Sequence, residues 1–329
     1  MTVKRSTRTT LALCGVLASG LSACSGSGTD QDAAADDGTV TVGFSVYDMQ
    51  YDYFKKMAQG TQAAAEAAGY EFVVHDEKSD EAEMIAGLEK MLDDGVDVLI
   101  ISPFKPEALG PIITKAQQRS VPVIIDDIGG GGTTYDSIVI SDNAGGGQQA
   151  AEHMAAQIRA NGVLSNKVVS ITCEPSAIYA ARRNEGFRAG IEAAGGVVVV
   201  EQSGNSKPDD AYAIMQAALA AHPDIVGVFA CNDPMAVAAA KAVAEAGLDP
   251  VRDVVTIGFN GDPDAVTAIG AGGLSATVAQ DPAKMGAMTV ELATQALAGD
   301  IPDYDNAEDR EVHAPVTLVT PQNAGQFAG

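Results

Sequence analysis

From Thr39 onward the sequence alternates between two kinds of segment, and this alternation leaves few folds open. Short runs of β-branched residues are followed by longer Ala-rich stretches in which apolar residues recur with helical spacing. Continuous apolar strands separated by helices are typical of parallel sheets, because each parallel connection needs a crossover and both faces become covered. The series restarts at Lys167, after the turn Gly145–Gly147. We therefore predict an α/β protein with two doubly wound parallel sheets.

Two open sheets account for 329 residues better than one very large sheet. The predicted strands are Val40–Val46, Glu71–His75, Val96–Ile101, Val121–Asp126, Ile138–Ile140, Val168–Thr172, Val197–Glu201, Ile225–Ala230, Val254–Gly258 and Ala276–Ala279. The predicted helices are Tyr53–Ala68, Glu81–Asp94, Glu107–Arg119, Gly145–Ala160, Tyr179–Ala194, Asp209–Ala221, Pro234–Ala246 and Pro282–Ala298. The tail at Val316–Val319 predicts that the chain crosses between the two lobes more than once.

Polar or small residues follow strand after strand. These clusters are Tyr47-Asp48, Ser102-Pro103, Asp126-Asp127, Cys173-Glu174, Cys231-Asn232-Asp233 and Asn260-Gly261-Asp262. Open α/β sheets bind ligands outside the carboxyl ends of their strands. Two such sheets that face each other would form a cleft lined with acids, amides and Tyr, so we predict a polar small-molecule site.

Aromatic residues are concentrated just after the first strand. The chain has eight Tyr and eight Phe, and four of them (Tyr47, Tyr51, Tyr53 and Phe54) fall within eight residues. A hydrophobic staple at a helix start explains one or two of these rings, but polar residues are interleaved among them. Aromatic faces for the C–H face of a sugar, beside carboxylates and amides for its hydroxyls, indicate a carbohydrate site.

Two adjacent arginines, Arg182 and Arg183, lie at the predicted start of a helix. Cations are unfavourable at a helix N-terminus because of the macrodipole, so a compensating contact is expected. We predict that Arg183 reaches into the cleft and donates hydrogen bonds to ligand oxygens, and that Arg182 faces solvent or supports it.

The pattern of the first residues predicts an export signal. Lys4, Arg5 and Arg8 precede an apolar run over Leu11–Ala23, which has the length of a signal-peptide core and is too short to span a bilayer. The run ends in Leu21-Ser22-Ala23-Cys24, which resembles a bacterial lipobox. We predict a lipoprotein signal peptide over 1–23, lipidation of Cys24 as the only membrane anchor, and a flexible tether over 24–38.

Charge argues against nucleic acid as a partner. The chain has 44 acidic and 20 basic residues and a formal net charge of −24. Such an acidic surface repels phosphate backbones.

No constellation typical of catalysis is present, since the four His are scattered and neither a nucleophile elbow nor a Walker loop occurs. His75-Asp76-Glu77 is either a metal site or a solvated strand end, and we favour the latter. Gly129–Gly132 is either a phosphate-binding loop or a flexible strand exit, and we again favour the latter. We expect no enzyme activity, no cofactor and no metal.

Four cysteines are present. Cys14 would leave with the signal peptide and Cys24 would carry lipid. The remaining Cys173 and Cys231 either pair, which an exported protein permits, or stay as two thiols. They are too few for a disulfide framework.

The mature chain resembles the ribose-binding-protein type of periplasmic sugar receptor, the ligand-carrying component of ABC importers. The similar stretches are Val42–Gly69, Ile100–Pro103, Pro122–Asp127, Ser141–Asn143, Arg183–Phe187, Ala221–Asp224, Phe229–Asp233, Gly258–Gly261 and Val278–Gln280. Lac-repressor-type regulators share these lobes, but they carry an N-terminal helix-turn-helix where this chain has the export signal and tether.

The resemblance implies a periplasmic binding protein of type I, with two lobes joined by three hinge crossovers near Ser141-Asp142, Gln280-Asp281 and His313-Ala314. The N-terminal lobe would comprise 39–141 plus 281–313, and the C-terminal lobe 142–280 plus 314–329. Ligand would bind the open form and be enclosed by hinge closure.

The resemblance also implies ligand-binding residues. Phe54 matches a ring that stacks on the sugar, Tyr53 replaces a Phe beside it, and Asp127 matches a carboxylate that accepts from hydroxyls. Polar contacts are matched by Arg183, Asn232 and Gln280. Departures are Asn260 for an Asp, Tyr47 and Tyr51 for smaller polar residues, Ile128 for an Arg, and Ser206 near a second stacking Phe. These departures argue against ribose itself and favour another pentose, a deoxy sugar or an acyclic polyol.

We therefore predict an extracytoplasmic, lipid-anchored, monomeric solute-binding protein that delivers a monosaccharide or polyol to ABC permease subunits. The alternative is a sugar-sensing receptor that signals through a membrane partner without transport, since both roles need the same cleft.

Overall fold

The computed structural model describes residues 38–327. The predicted signal peptide, the predicted lipidation site Cys24 and nearly all of the predicted tether lie outside this range. Among residues 38–327, none of the helices combines the length and the apolar character that crossing a bilayer requires.

Twelve strands of the described chain form two sheets of six. The strands are β1 (Thr41–Val46), β2 (Glu71–Asp76), β3 (Val98–Ser102), β4 (Val123–Asp126), β5 (Ser137–Ser141), β6 (Lys167–Thr172), β7 (Val197–Ser203), β8 (Ile225–Ala230), β9 (Val255–Asn260), β10 (Ala276–Ala279), β11 (Glu311–Ala314) and β12 (Thr317–Val319). The first sheet has the order β11-β5-β4-β3-β1-β2 and the second β12-β10-β9-β8-β6-β7. All pairings are parallel except that of β12 with β10, so the predicted α/β class with two doubly wound sheets is confirmed.

Helices cover the sheets. They are α1 (Asp52–Ala67), α2 (Glu81–Asp94), α3 (Gly110–Gln118), α4 (Asn143–Ala160), α5 (Ile178–Ala193), α6 (Pro208–Ala221), α7 (Asp233–Glu245), α8 (Pro263–Gly270) and α9 (Pro282–Ala298), with short 3₁₀ helices at Pro106–Ala108 and Ala324–Gln326. The central strands β3, β4, β5 and β8 are buried along their whole length, which is why they read as continuous apolar runs.

Three connections run between the two sheets: from β5 into α4, from β10 into α9, and from β11 into β12. Helix α9 packs on α1 and on strands of the first sheet, whereas α4 packs on α5 and on strands of the second. The connections lie next to the positions that the resemblance implies for the crossovers. The lobe boundaries themselves stay a prediction.

Two local predictions were wrong, and two short elements were not predicted. The helix predicted over Glu107–Arg119 begins only at Gly110, because Pro111 lacks an N–H and would clash with the preceding turn anywhere but at a helix start. Helix α8 and strand β11 are short and were not predicted. Arg182 and Arg183 lie in the second turn of α5, so the macrodipole penalty used to single them out is weaker than expected.

Candidate functional site

A cavity of about 1050 Å³ opens between loops that follow strands of both sheets. The first sheet contributes the loops after β3 and β4 and the turn before β11, and the second contributes the loop after β6 and the start of α5. The lining residues are Phe104–Glu107, Asp127–Tyr135, Glu174, Ser176–Ala180, Arg183 and Glu308–Arg310. The cavity therefore lies at the carboxyl ends of the strands, where open α/β sheets bind ligands.

The predicted aromatic residues form one cluster beside the first sheet. The ring of Tyr47 stacks on that of Phe54, with centroids 4.9 Å apart and an interplanar angle of 12°. Tyr53 and Phe104 add edge contacts, to Phe54 at 5.2 Å and to Tyr47 at 5.3 Å. Tyr51 is half exposed, and its ring centroid lies 6.4 Å from that of Tyr47. The stack leaves Phe54 with one face already covered by protein.

Asp127 is held by the first turn of α1. The Tyr53 hydroxyl donates to Asp127 Oδ1 at 3.2 Å, and the Asp127 amide donates to the Val139 carbonyl at 2.8 Å. The pKa of Asp127 is raised above its usual value, because the effect of burial outweighs the opposing effects of the Arg183 charge and the Tyr53 hydrogen bond. The neighbouring Asp126 is fully buried, and neither of its carboxyl oxygens has a partner among the described residues. Burial, and to a lesser extent the charge of Asp127, raises the pKa of Asp126 well above its usual value.

Arg183 is the centre of a hydrogen-bond network in the second sheet. Its Nε donates to Asn143 Oδ1 at 2.8 Å, and Nη1 donates to the Cys231 carbonyl at 2.9 Å and to Asn260 Oδ1 at 3.2 Å. Its Nη2 donates to Gln280 Oε1 at 3.2 Å, and the guanidinium lies 4.0 Å from the centroid of the Phe259 ring. Four of the five N–H groups are thus engaged, and one on Nη2 has no partner among residues 38–327.

The same network reaches two of the connections between the sheets. Ser141, at the end of β5, donates to Gln280 Oε1 at 2.9 Å, and Gln280 Nε2 donates to Asn260 Oδ1 at 3.2 Å. Gln280 stands between β10 and α9. Arg183 therefore contacts both the cavity and the segments about which a hinge motion would occur.

Close helix packing fixes the position of Arg183. A Cβ at Gly147 of α4 would lie 2.0 Å from the Arg183 carbonyl oxygen, and a Cβ at Gly186 of α5 would lie 2.0 Å from the Ala144 carbonyl oxygen. Only glycine allows α4 and α5 to approach this closely. The glycine-rich start of α4 consequently determines how far the guanidinium extends toward the cavity.

Asn232 has a structural task. Its Oδ1 accepts a hydrogen bond from the Met235 amide at 3.0 Å and caps α7. Its amide N–H₂ group and the second lone pair of Oδ1 are left for a ligand.

The two remaining cysteines form a disulfide, with Cα atoms 5.7 Å apart. Cys173 and Cys231 directly follow β6 and β8, which pair side by side. The bond links the strand ends beside the cavity-lining Glu174 and beside the carbonyl that accepts from Arg183. Of the alternatives left open by the sequence, pairing is the one that the structure contains.

The predicted ligand-binding residues divide into two sets. Asp127 and Arg183 line the cavity. The others flank it without belonging to its lining residues: Tyr47, Tyr51, Tyr53, Phe54, Asn232, Asn260 and Gln280. The structure links Phe54 through Tyr53 to Asp127, and links Asn260 and Gln280 to Arg183.

Sequence reasoning missed several lining residues. Tyr135 and Tyr179 stand alone in the sequence, and no local pattern distinguishes them. Glu174 was noted only as a strand-end residue, and its carboxylate accepts a hydrogen bond from Ser206. Gly129–Gly132 was recognised as unusual, but its use as a cavity wall depends on the opposite lobe and was not predicted.

The solvated strand end predicted at His75-Asp76-Glu77 was wrong for Glu77. Its side chain is 0% exposed and accepts hydrogen bonds from Ser45 Oγ at 2.7 Å and from the Phe104 amide at 2.6 Å. Two donors inside the fold replace water, which the local sequence did not reveal. The His75 ring lies instead 3.0 Å from the Glu83 carbonyl oxygen. Within the part of the chain that the structure describes, no three metal-binding side chains cluster.

Proteins of known identity resemble this chain in sequence and in fold. A family model for the periplasmic binding protein domain matches residues 42–301. The ribose import binding protein of Escherichia coli is 32% identical over 260 residues, which cover 79% of this chain and 86% of that protein.

Two solved structures extend the comparison. A carbohydrate transporter solute binding protein from Agrobacterium radiobacter, in complex with D-arabinose, is 29% identical with a TM-score of 0.68, over 87% of this chain and 95% of that one. The Caulobacter myo-inositol binding protein bound to myo-inositol is 28% identical with a TM-score of 0.66, over 87% and 95%. The predicted resemblance is confirmed: the chain belongs to the periplasmic binding protein family and is an extracytoplasmic solute-binding protein.

Proposed function

We propose that this protein captures a sugar or polyol between its two sheets and delivers it to the membrane subunits of an ABC importer. The observation that carries the proposal is that Asp127 and Arg183, which belong to elements of different sheets, line one cavity. An acceptor and a donor on opposite walls suit a neutral guest whose hydroxyl groups both donate and accept.

The supporting residues complete this chemistry. Tyr53 orients Asp127, and Asn260 and Gln280 orient Arg183. The aromatic cluster around Phe54 and Tyr47 offers apolar surface for a ring C–H face. We propose that all nine predicted residues form or support the binding site.

The energies are adequate for useful affinity. A micromolar Kd corresponds to about 8 kcal/mol. Four or five hydrogen bonds to charged or amide groups, at roughly 1–3 kcal/mol each when desolvated, together with ring stacking, offset the costs of binding and closure. A guest that bridges Asp127 and Arg183 favours the closed form, which the importer would recognise.

A thermal-shift screen over pentoses, hexoses and polyols tests the proposal, because a guest that binds only the native state raises Tm by mass action. Calorimetry of Asp127→Asn and Arg183→Lys then tests the site. We expect each to weaken binding of the best sugar by about 2 kcal/mol with little change in fold. The matched controls are Asp303→Asn and Arg159→Lys, at exposed positions outside the cavity. Unchanged affinity in both site variants would refute the assignment.

We further propose that the protein is exported by the segment 1–23 and held at the membrane by lipid on Cys24, as a monomer without catalytic activity. The lipobox-like Leu21-Ser22-Ala23-Cys24 supports the anchor. Mass spectrometry of the membrane fraction should find a diacylated N-terminal Cys24, and Cys24→Ser should abolish that species. An unmodified Cys24 in membrane-bound protein would contradict the anchor.

A further inference from the structure

The cavity continues well past the two residues that would hold a sugar ring. Within its lining, Asp127 accepts a hydrogen bond from the flanking Tyr53, and Arg183 donates one to the flanking Asn260. The rest is enclosed by Gly129–Gly132, by Tyr135 and by the start of α5. We call this rest the glycine-loop compartment.

The floor of the compartment is backbone. Gly129 and Gly131 have left-handed φ angles of 111° and 60°. A Cβ at Gly129 would lie 2.8 Å from the Tyr179 ring, and one at Gly131 would lie 2.2 Å from the Pro106 carbonyl oxygen. The loop is therefore packed against both lobes and excludes side chains from the compartment.

The backbone amides of this loop lack hydrogen-bond partners among residues 38–327. None of the amides of Gly129–Gly132 donates a hydrogen bond within residues 38–327, although Gly129 and Gly130 are buried. Buried amides are normally paired, so these donors call for a partner. The Glu107 and Glu174 carboxylates supply acceptors, and the Tyr135 and Tyr179 rings supply aromatic surface.

The volume exceeds the needs of one sugar ring. Cavities of about 300–1,000 Å³ hold drug-sized ligands, and a single pentose or hexose is considerably smaller than those. The observed 1050 Å³ therefore leaves room beyond a ring seated on Asp127 and Arg183. The backbone amide donors, the carboxylate acceptors and the aromatic surface together suit a second polar, uncharged ring.

We propose that the glycine-loop compartment is a second subsite that binds the second sugar unit of a glycoside. This inference rests on the proposed function, because the first unit occupies the site at Asp127 and Arg183. The preferred guest is then a disaccharide, and a free monosaccharide fills only part of the cavity.

Calorimetry with matched pairs tests the subsite: D-xylose with xylobiose, D-glucose with cellobiose, and D-galactose with lactose. We expect at least one disaccharide to bind tenfold or more tightly than its monosaccharide. If monosaccharides bind and every disaccharide binds no better, the subsite is overturned while the proposed function stands. If no sugar or polyol binds, the proposed function falls and this inference falls with it.

Substitution at the compartment wall gives a second test. Ile178 lines the cavity and is 65% exposed, so Ile178→Trp can fill the compartment without disturbing the core. We expect this variant to lose the tenfold advantage of the disaccharide while its monosaccharide affinity stays within twofold. Leu164→Trp, at a fully exposed position outside the cavity, should change neither affinity. Equal losses for both sugars in Ile178→Trp, in a variant with wild-type Tm, would overturn the subsite.

Discussion

Arg182 of α5 and Glu311 of β11 join the two sheets through a bidentate ion pair. Arg182 Nη1 lies 2.8 Å from Glu311 Oε2, and Nη2 lies 2.9 Å from Oε1. The Glu311 side chain is only 1% exposed, and His313 Nε2 lies 3.2 Å from the same carboxylate. Burial alone would raise the pKa of Glu311, but hydrogen bonds and charge from Arg182 and His313 outweigh it and lower the pKa. Arg182, which we predicted to face solvent or to support Arg183, therefore connects the two lobes.

Arg182→Met should destabilise the protein by about 2–3 kcal/mol, because it leaves a buried carboxylate without its main partner. Urea unfolding measures the loss. Arg188→Met is the matched control: Arg188 pairs with Glu192 and Glu201, all well exposed, so less than about 1 kcal/mol is expected. Similar losses in the two variants would contradict the importance of the link. Because the pKa of Glu311 is lowered, the difference from wild type should shrink as pH falls below its usual value.

Tyr53→Phe should weaken sugar binding three- to tenfold, or about 1 kcal/mol, with little loss of stability. The hydroxyl donates to Asp127, and burial raises the pKa of Tyr53 well above its usual value, so it remains a donor at every working pH. Calorimetry measures the effect. Tyr70→Phe is the control, since its hydroxyl bonds Thr294 at 3.1 Å and neither residue lines the cavity. An undiminished affinity in Tyr53→Phe would remove Tyr53 from the site.

Glu77→Gln should become progressively more stable than wild type as pH rises. Burial raises the pKa of Glu77 from 4.5 to about 7, so the folded state holds a proton that the unfolded state has lost between these values. The wild type therefore loses stability from this group as pH rises from 4.5 to about 7, and Gln does not. A Gln side chain still accepts from the Phe104 amide and can donate to Ser45 Oγ.

Urea unfolding at pH 4.5 and at pH 7.5 measures the change. Glu89→Gln, at an exposed position, should show no such divergence. A constant difference between Glu77→Gln and wild type across this range would show that the pKa of Glu77 is the same in the folded and unfolded states.

Replacing both cysteines of the disulfide by Ser should cost about 2–4 kcal/mol, since the bond closes a loop of 58 residues in the unfolded chain. Sugar affinity should fall as well, because the Cys231 carbonyl accepts from Arg183. Urea unfolding and calorimetry give the two values. A reducing agent should destabilise the wild type and leave the double-Ser variant unchanged. If the reducing agent leaves the stability of the wild type unchanged, the disulfide does not stabilise the fold.

Fold and site were not equally predictable. The strands and helices follow from local periodicity. Asp127 and Arg183 are predicted site residues because Asp127 follows a buried strand and Arg183 lies near the start of a predicted helix, although the structure places Arg183 in the second turn of α5. Glu77 shows the opposite case: it follows a strand in the same way, yet Ser45 and the Phe104 amide, distant in sequence, surround it. The polar pattern is the same, and only contacts from other segments separate a buried carboxyl from a solvated one.

Alternation of apolar strands with amphipathic helices determined by itself that two parallel sheets form, because burial of both sheet faces depends on spacing within each segment. It likewise placed polar groups at the carboxyl edges. The tertiary structure alone decided which of those groups face a common space. Tyr135 and Tyr179, Arg182 and Glu311, and the disulfide pair meet across long sequence separations. The two tyrosines and the Arg182–Glu311 pair meet because the two halves of the chain dock, whereas the disulfide pair meets because β6 and β8 are neighbours in the second sheet. No local spacing encodes either arrangement.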